Sequence, residues 1–203
     1  MDLNAWYRRC YTLWTPFYDL LVRGFDPWRR RSLERVALRA GERVLIVGAG
    51  TGLDLNHIAR GPSITAIDLT ESMLSRLRRR ARRRGLEVDA RVMNAQALDF
   101  PDGSFDVIVL HLILAVVPDP VRCAHECARV LRPGGRAIVM DKFVPDDRPT
   151  PLVLRLVNPL LKLWGTDATR RLGPILAGTP LRITHQEPAA LRGFFKIILL
   201  RKD

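Results

Sequence analysis

The sequence predicts an α/β fold, a mostly parallel sheet with helices on both faces. Three observations carry this. Short apolar runs alternate with amphipathic stretches between residues 44 and 140, and such alternation implies right-handed crossovers between parallel strands. The first run, VLIV, feeds the glycine turn Gly48-Ala49-Gly50-Thr51-Gly52. The second, SITAID, closes on the acid Asp68.

The elements follow in order. Residues 44–47 read as a first strand, buried because every position is apolar. After the turn, 53–60 reads as a helix. Residues 64–67 form a second strand and 71–84 a helix, with Thr70 available as its cap. Residues 88–92 make a third strand and 105–110 a fourth. A helix over 120–131 starts at Pro120, a favoured first helical position. The turn Pro133-Gly134-Gly135 leads into a fifth strand, 136–140. The tail differs: 181–185 and 194–201 read as two strands close enough to pair antiparallel at one edge.

Two segments lie outside this core. In residues 1–40, Leu3, Trp6, Tyr7, Cys10, Tyr11, Trp14, Phe17, Tyr18, Leu21 and Val22 recur at helical spacing, and Pro16 should kink or split that helix. The segment is expected to serve as a lid or a membrane-docking element ahead of a core over 41–203. The second is an apolar helical insertion at about 145–178. Its stretch 149–164 is mostly leucine and valine, with Arg155 and Lys162 interspersed. Aromatic or aliphatic helices carrying arginine suit a membrane interface as well as a packed lid.

Composition narrows the classes. The 203 residues are 47% apolar and 27% charged, a globular balance that excludes wholesale disorder. The net charge of +12 favours an anionic partner such as membrane lipid, nucleic acid or an acidic metabolite. Arginine outnumbers lysine 29 to 4, so compositional bias also contributes. Three cysteines, Cys10, Cys123 and Cys127, are too few and too irregular for a disulfide framework and suit a reducing compartment. Cys123 and Cys127 share a helical face but His125 does not, so no metal site is expected. No signal peptide and no membrane-spanning run is read.

A glycine turn beside an acid suits an adenosine-containing cofactor: bare backbone admits the ligand, and the acid accepts from ribose hydroxyls. The pattern is G-x-G-x-G, with Leu53 where a dinucleotide fold places its third glycine. No phosphate loop is present. A cofactor without a pyrophosphate fits better.

GAGTG, Ile67-Asp68, the turn Asn94-Ala95-Gln96, PDGSFD and LRPGG together resemble the motif series of class I S-adenosylmethionine methyltransferases. The resemblance spans about residues 18–143. It implies a Rossmann-like, seven-stranded sheet with the last two strands antiparallel at one edge. It also implies S-adenosyl-L-methionine as cofactor, with Val47, Gly48, Ala49, Gly50, Thr51 and Gly52 along its methionine part. Asp68 would bind the ribose, Leu69 and Met73 would lie near the adenosine, and Ala95 and Gln96 would flank the adenine. Asn94 stands where the family usually has an acid at the adenine amino group; its carbonyl can still accept.

Tyr18-Asp19-Leu20 and the turn AVVPDP (115–120) are similar to small bacterial phosphatidylethanolamine N-methyltransferases, peripheral membrane enzymes that act towards phosphatidylcholine. That turn is also close to the one in quinone C-methyltransferases. The first resemblance implies a phospholipid substrate, an anionic membrane surface met through the N-terminal helix and 149–164, and a monomer on the inner face of the cytoplasmic membrane. An RNA methyltransferase is the third reading; the arginine run 76–84 allows it, but no RNA-binding domain and no NPPY-type loop is present.

Three residues are candidates for catalysis. Tyr18 belongs to the N-terminal lid, and its ring could hold an ammonium by cation–π attraction. His111 follows the fourth strand and could orient or deprotonate an amine. Asp141 ends the fifth strand, at a position expected to face the cleft. His111 and Tyr18 are also expected beside the cofactor.

Overall fold

The structure, a computed structural model, describes Trp6, Arg8, Tyr11, Thr12, Thr15 and residues 18–203. Seven strands form one sheet in the order β3-β2-β1-β4-β5-β7-β6. They are β1 (Arg43–Val47), β2 (Ser63–Asp68), β3 (Val88–Val92), β4 (Phe105–His111), β5 (Leu131–Lys142), β6 (Leu181–Pro188) and β7 (Phe195–Lys202). The pairs from β3 through β5 are parallel. β7 runs antiparallel to both β5 and β6. The expected reversed pair is therefore present, with the later strand inserted inward.

Strand period explains how one sheet serves two cores. Leu45 and Val47 face one cluster, with Ile108, Leu110 and the buried cysteines of α4 (Pro120–Val130). Val44 and Ile46 face the other, against Leu33 and Val36 of α2 (Asp26–Val36) and Leu74 and Leu77 of α3 (Glu71–Arg84). Both faces are covered, so the central strands read as continuous apolar runs.

Helix α3 matches its expected bounds. Met73, Leu74, Leu77 and Ala81 supply its buried face, and Gly85, at φ +62, ends it by donating back to Ala81 and Arg82. Helix α4 starts at Asp119, whose side chain accepts from the Arg122 amide at 2.9 Å. One expected helix is shorter than predicted: 53–60 is a 3-10 turn over Leu53–His57. Strand β5 extends beyond its predicted bounds at both ends.

Ahead of the sheet lie a one-turn helix α1 (Tyr18–Leu21) and α2, to which the sequence reading gave no separate element. Trp6, Arg8, Tyr11 and Thr12 are helical. The rest of the predicted aromatic stripe, namely Leu3, Tyr7, Cys10, Trp14 and Phe17, lies outside the described residues, as does Pro16. The insertion holds α5 (Leu152–Leu163) and the short α6 (Leu172–Leu176).

Candidate active site

A cavity opens at the carboxyl ends of β1, β2 and β4. Strand order reverses between β1 and β4, the place where open α/β sheets take ligands. Its lining includes Gly48, Gly50, Asp68, Leu69, Met73 and Asn94. Arg8, which is exposed, together with Tyr11, Tyr18, Ile113, Val116 and Val117 completes the lining.

The glycine turn divides in its duties. Gly48, at φ +65, lies under Ile113, and an added Cβ would come within 2.6 Å of that side chain. Gly50 faces the ring of Tyr18, with room left between them. Gly52 points away: its added Cβ would strike Leu77 of α3 at 2.8 Å. It lets the helix approach, which is a packing role. Val47, Ala49, Thr51 and Gly52 do not line the cavity. The Thr51 hydroxyl instead donates to Asp19, which is also paired with Arg80 at 2.7 Å. Asp19 thereby ties α1 to the turn and to α3.

Asp68 lines the cavity with both oxygens partly used. One accepts from the Gly50 amide at 2.8 Å, the other from the Thr70 amide at 2.9 Å. A carboxylate offers about four acceptor sites, so acceptor capacity remains for a diol. Burial pushes this carboxyl up, and the two amides only partly pull it back. Asn94 and Ala95 also line the cavity. The Asn94 carbonyl, however, already accepts from the Gln96 backbone and from its side-chain amide, each at 3.0 Å. Gln96 does not line the cavity; its own carbonyl accepts from the Asp119 amide at 2.8 Å. It braces the turn below the site.

The catalytic expectations for His111 and Asp141 are corrected. His111 is buried beneath the site and does not line the cavity. Its Nδ1 lies 2.7 Å from Asp54 and its Nε2 2.8 Å from the Ser32 hydroxyl. A carboxylate only accepts, so Nδ1 carries a proton and both ring nitrogens are committed. Arg29 donates to the same Asp54 oxygen at 2.8 Å. Burial works to raise the Asp54 carboxyl, but Arg29 and His111 outweigh it and hold it far below the usual range. Four buried polar residues thus join α2, the turn after the glycines and β4. Asp141 is fully buried; its carboxylate accepts from the Ala115 and Lys142 amides at 2.9 and 2.8 Å. It fastens the loop that carries Val116 and Val117.

Sequence reasoning missed Asp54, Arg29 and Ser32, because a buried network of single polar residues has no spacing rule. It also missed Arg8, Tyr11, Met93, Leu112 and Ile113 as lining. Leu112 holds φ +59, a left-handed conformation unusual for leucine and typical of ligand clamps. The three titratable side chains at the cavity, besides Arg8, are Asp68, Tyr11 and Tyr18 among the described residues.

A strongly apolar surface lies nearby. On α5, Leu152, Val153, Leu156, Leu160 and Leu163 are each 58–72% exposed, and Trp164 follows at 54%. Trp6 donates to the Leu163 carbonyl at 3.4 Å and Tyr11 to the Gly165 carbonyl at 3.4 Å. The cavity-lining Tyr11 therefore touches the end of this surface. Among the described residues, no helix is long and apolar enough to cross a membrane.

Residues 45–139 match a family described as a methyltransferase domain. A phosphatidylethanolamine N-methyltransferase from Cereibacter sphaeroides is 32% identical over the full length of both chains. A demethylmenaquinone methyltransferase from Thermus thermophilus is 38% identical, over 70% of this chain and 68% of its own. Among solved structures, an S-adenosylmethionine-dependent methyltransferase from Aquifex aeolicus superposes with TM-score 0.65 at 18% identity, covering 86% of this chain and 89% of the other. That likeness concerns the fold.

Proposed function

Because the chain belongs to the class I S-adenosylmethionine-dependent methyltransferases, we propose that it methylates the amino headgroup of phosphatidylethanolamine and its methylated intermediates, towards phosphatidylcholine, at a membrane surface. The observation that carries this reading is the exposed leucine face of α5, whose end is joined to the cavity-lining Tyr11 through Gly165. A contiguous apolar surface of this kind marks an interaction site, and a bilayer is both its natural solvent and the home of such a substrate.

The residues fit S-adenosylmethionine. Gly48 and Gly50 would run along its methionine part, Asp68 would accept from the ribose, and Ala95 and Leu69 would border the adenine. When bound, it supplies an electrophilic methyl on a sulfonium. The protein's task is then alignment, since in-line displacement gains most from proximity. A free primary amine holds its proton up to a pKa of about 10. Burial beside a positive sulfonium lowers that value, because desolvation and like charge both disfavour the ammonium. Water can take the proton. Burial pushes the Tyr18 phenol up, so it stays protonated at neutral pH. Its ring, beside Gly50, would hold the methylated ammonium at about 0.5–2 kcal/mol.

A quinone C-methyltransferase is the second reading, favoured by the identity to the Thermus thermophilus relative. Methylating a ring carbon calls for a strong base beside the methyl group. His111 is committed elsewhere, and Asp68 is hydrogen-bonded to two amides. An amine acceptor suits this cavity better. Methyl transfer from radiolabelled S-adenosylmethionine to vesicles containing phosphatidylethanolamine tests the reading. Label is expected in mono-, di- or trimethylated lipid. Intact cofactor binding with label only in a quinone acceptor would overturn it.

A further inference from the structure

We infer that Arg8 recognises the phosphodiester of the lipid headgroup, and so selects phospholipid amines over other amines. This rests on the headgroup reading above. Arg8, an exposed residue, lines the cavity on the segment that Trp6 and Tyr11 tie to the end of α5. Of the chain's many arginines, most near the site are engaged: Arg80 with Asp19, Arg29 with Asp54, and Arg170 with Asp167 and the carbonyls of Val117 and Pro118. Arg8 has no carboxylate partner among the described residues, and its backbone carbonyl accepts from the Thr12 hydroxyl at 2.8 Å.

Charge order sets its role. The headgroup is a zwitterion whose amine and phosphate are separated by an ethyl group and an ester oxygen. The amine must reach the reacting methyl, which a cofactor held by the glycine turn and Asp68 would present inside the cavity. The phosphate then trails towards the mouth, on the side of the lipid surface. A guanidinium beside that methyl would repel the ammonium; at the mouth it meets the anion with forked donors. Arg8, Tyr11 and Tyr18 all line the same cavity. Tyr18 and Arg8 thus divide the two ends of the zwitterion between them.

The test compares wild type, Arg8→Gln and Arg8→Lys on phosphatidylethanolamine and on a long-chain primary amine, each dispersed in phosphatidylcholine vesicles. Arg8→Gln should raise the apparent KM for phosphatidylethanolamine by about tenfold or more, with kcat within about threefold. Arg8→Lys should recover much of the loss, because the charge is kept without the fork. The phosphate-free amine should be methylated equally by all three proteins. S-adenosylmethionine affinity by calorimetry and vesicle co-sedimentation should not change. Equal loss on both acceptors, weaker cofactor binding or weaker vesicle attachment would each overturn the assignment, the second by moving Arg8 to the cofactor's carboxylate. Wild-type protein that labels no phosphatidylethanolamine overturns the headgroup reading and Arg8 with it. Label that Arg8→Gln matches overturns Arg8 alone.

Discussion

At the scale of residues, two acids near the glycine turn have opposite duties. Asp68 faces the cavity with acceptor capacity to spare; Asp54 is buried and engaged by Arg29 and His111. Asp68→Ala is expected to weaken S-adenosylmethionine binding at least about tenfold, since charge-assisted contacts to a diol are lost; unchanged affinity by calorimetry would rule out the ribose role. His111→Gln should act on the fold instead. It disturbs a buried network, so the melting temperature should fall by about 3–8 °C, while methyl transfer per folded molecule stays within about threefold. A loss of activity of a hundredfold with an unshifted melting curve would restore His111 to the chemistry. The sequence made Asp68 legible because it ends a strand beside a glycine turn. It misled at His111 and Asp141, because the end of a strand points either to the cleft or beneath it, and only the partners decide. At His111 those partners are Ser32 and Asp54, far apart in sequence.

At the scale of elements, the parallel half of the sheet and helix α3 were readable from period and caps, since local chemistry sets both. The place of β7 was not. Its pattern predicts a strand and an antiparallel neighbour, yet insertion between β5 and β6 is a tertiary choice. The turn over Leu53–His57 failed as a helix because Asp54 turns inward to Arg29 rather than outward to solvent. Helix α5 carries the clearest prediction. Its leucines rest on little of the protein, so Leu156→Glu with Leu160→Glu should leave the melting temperature within about 2 °C. Binding to anionic vesicles should drop about tenfold or more, as apolar area and charge both turn unfavourable. Vesicle flotation reads the effect. Undiminished binding would mean that α5 is a lid whose apolar face meets something other than lipid.

For the whole molecule, the N-terminal layer is clamped to the sheet edge through one acid. Glu187 on β6 accepts from Arg31 at 2.8 and 3.0 Å and from Arg35 at 2.9 and 3.2 Å. Hydrogen bonds from Arg35 and Arg31 pull its carboxyl from the ordinary 4.5 to about 2. A lowered folded-state value stabilises the protein above the unfolded value and is lost as pH falls through the folded one. Stability should therefore decline between pH 4.5 and about 2. Glu187→Gln should flatten that decline in acid titrations followed by circular dichroism; an identical acid midpoint would locate the linkage elsewhere. The exposed face of α5 has a further consequence. If the protein acts on a bilayer as proposed, it experiences its substrate as a surface density, and its rate should follow the mole fraction of acceptor lipid rather than the amount per volume. Diluting the vesicles with buffer would then change little, whereas diluting the acceptor with inert lipid would slow every turn. On the proposed lipid substrate, partly methylated products would stay in the same plane as a membrane-bound protein, so one landing would serve several successive transfers.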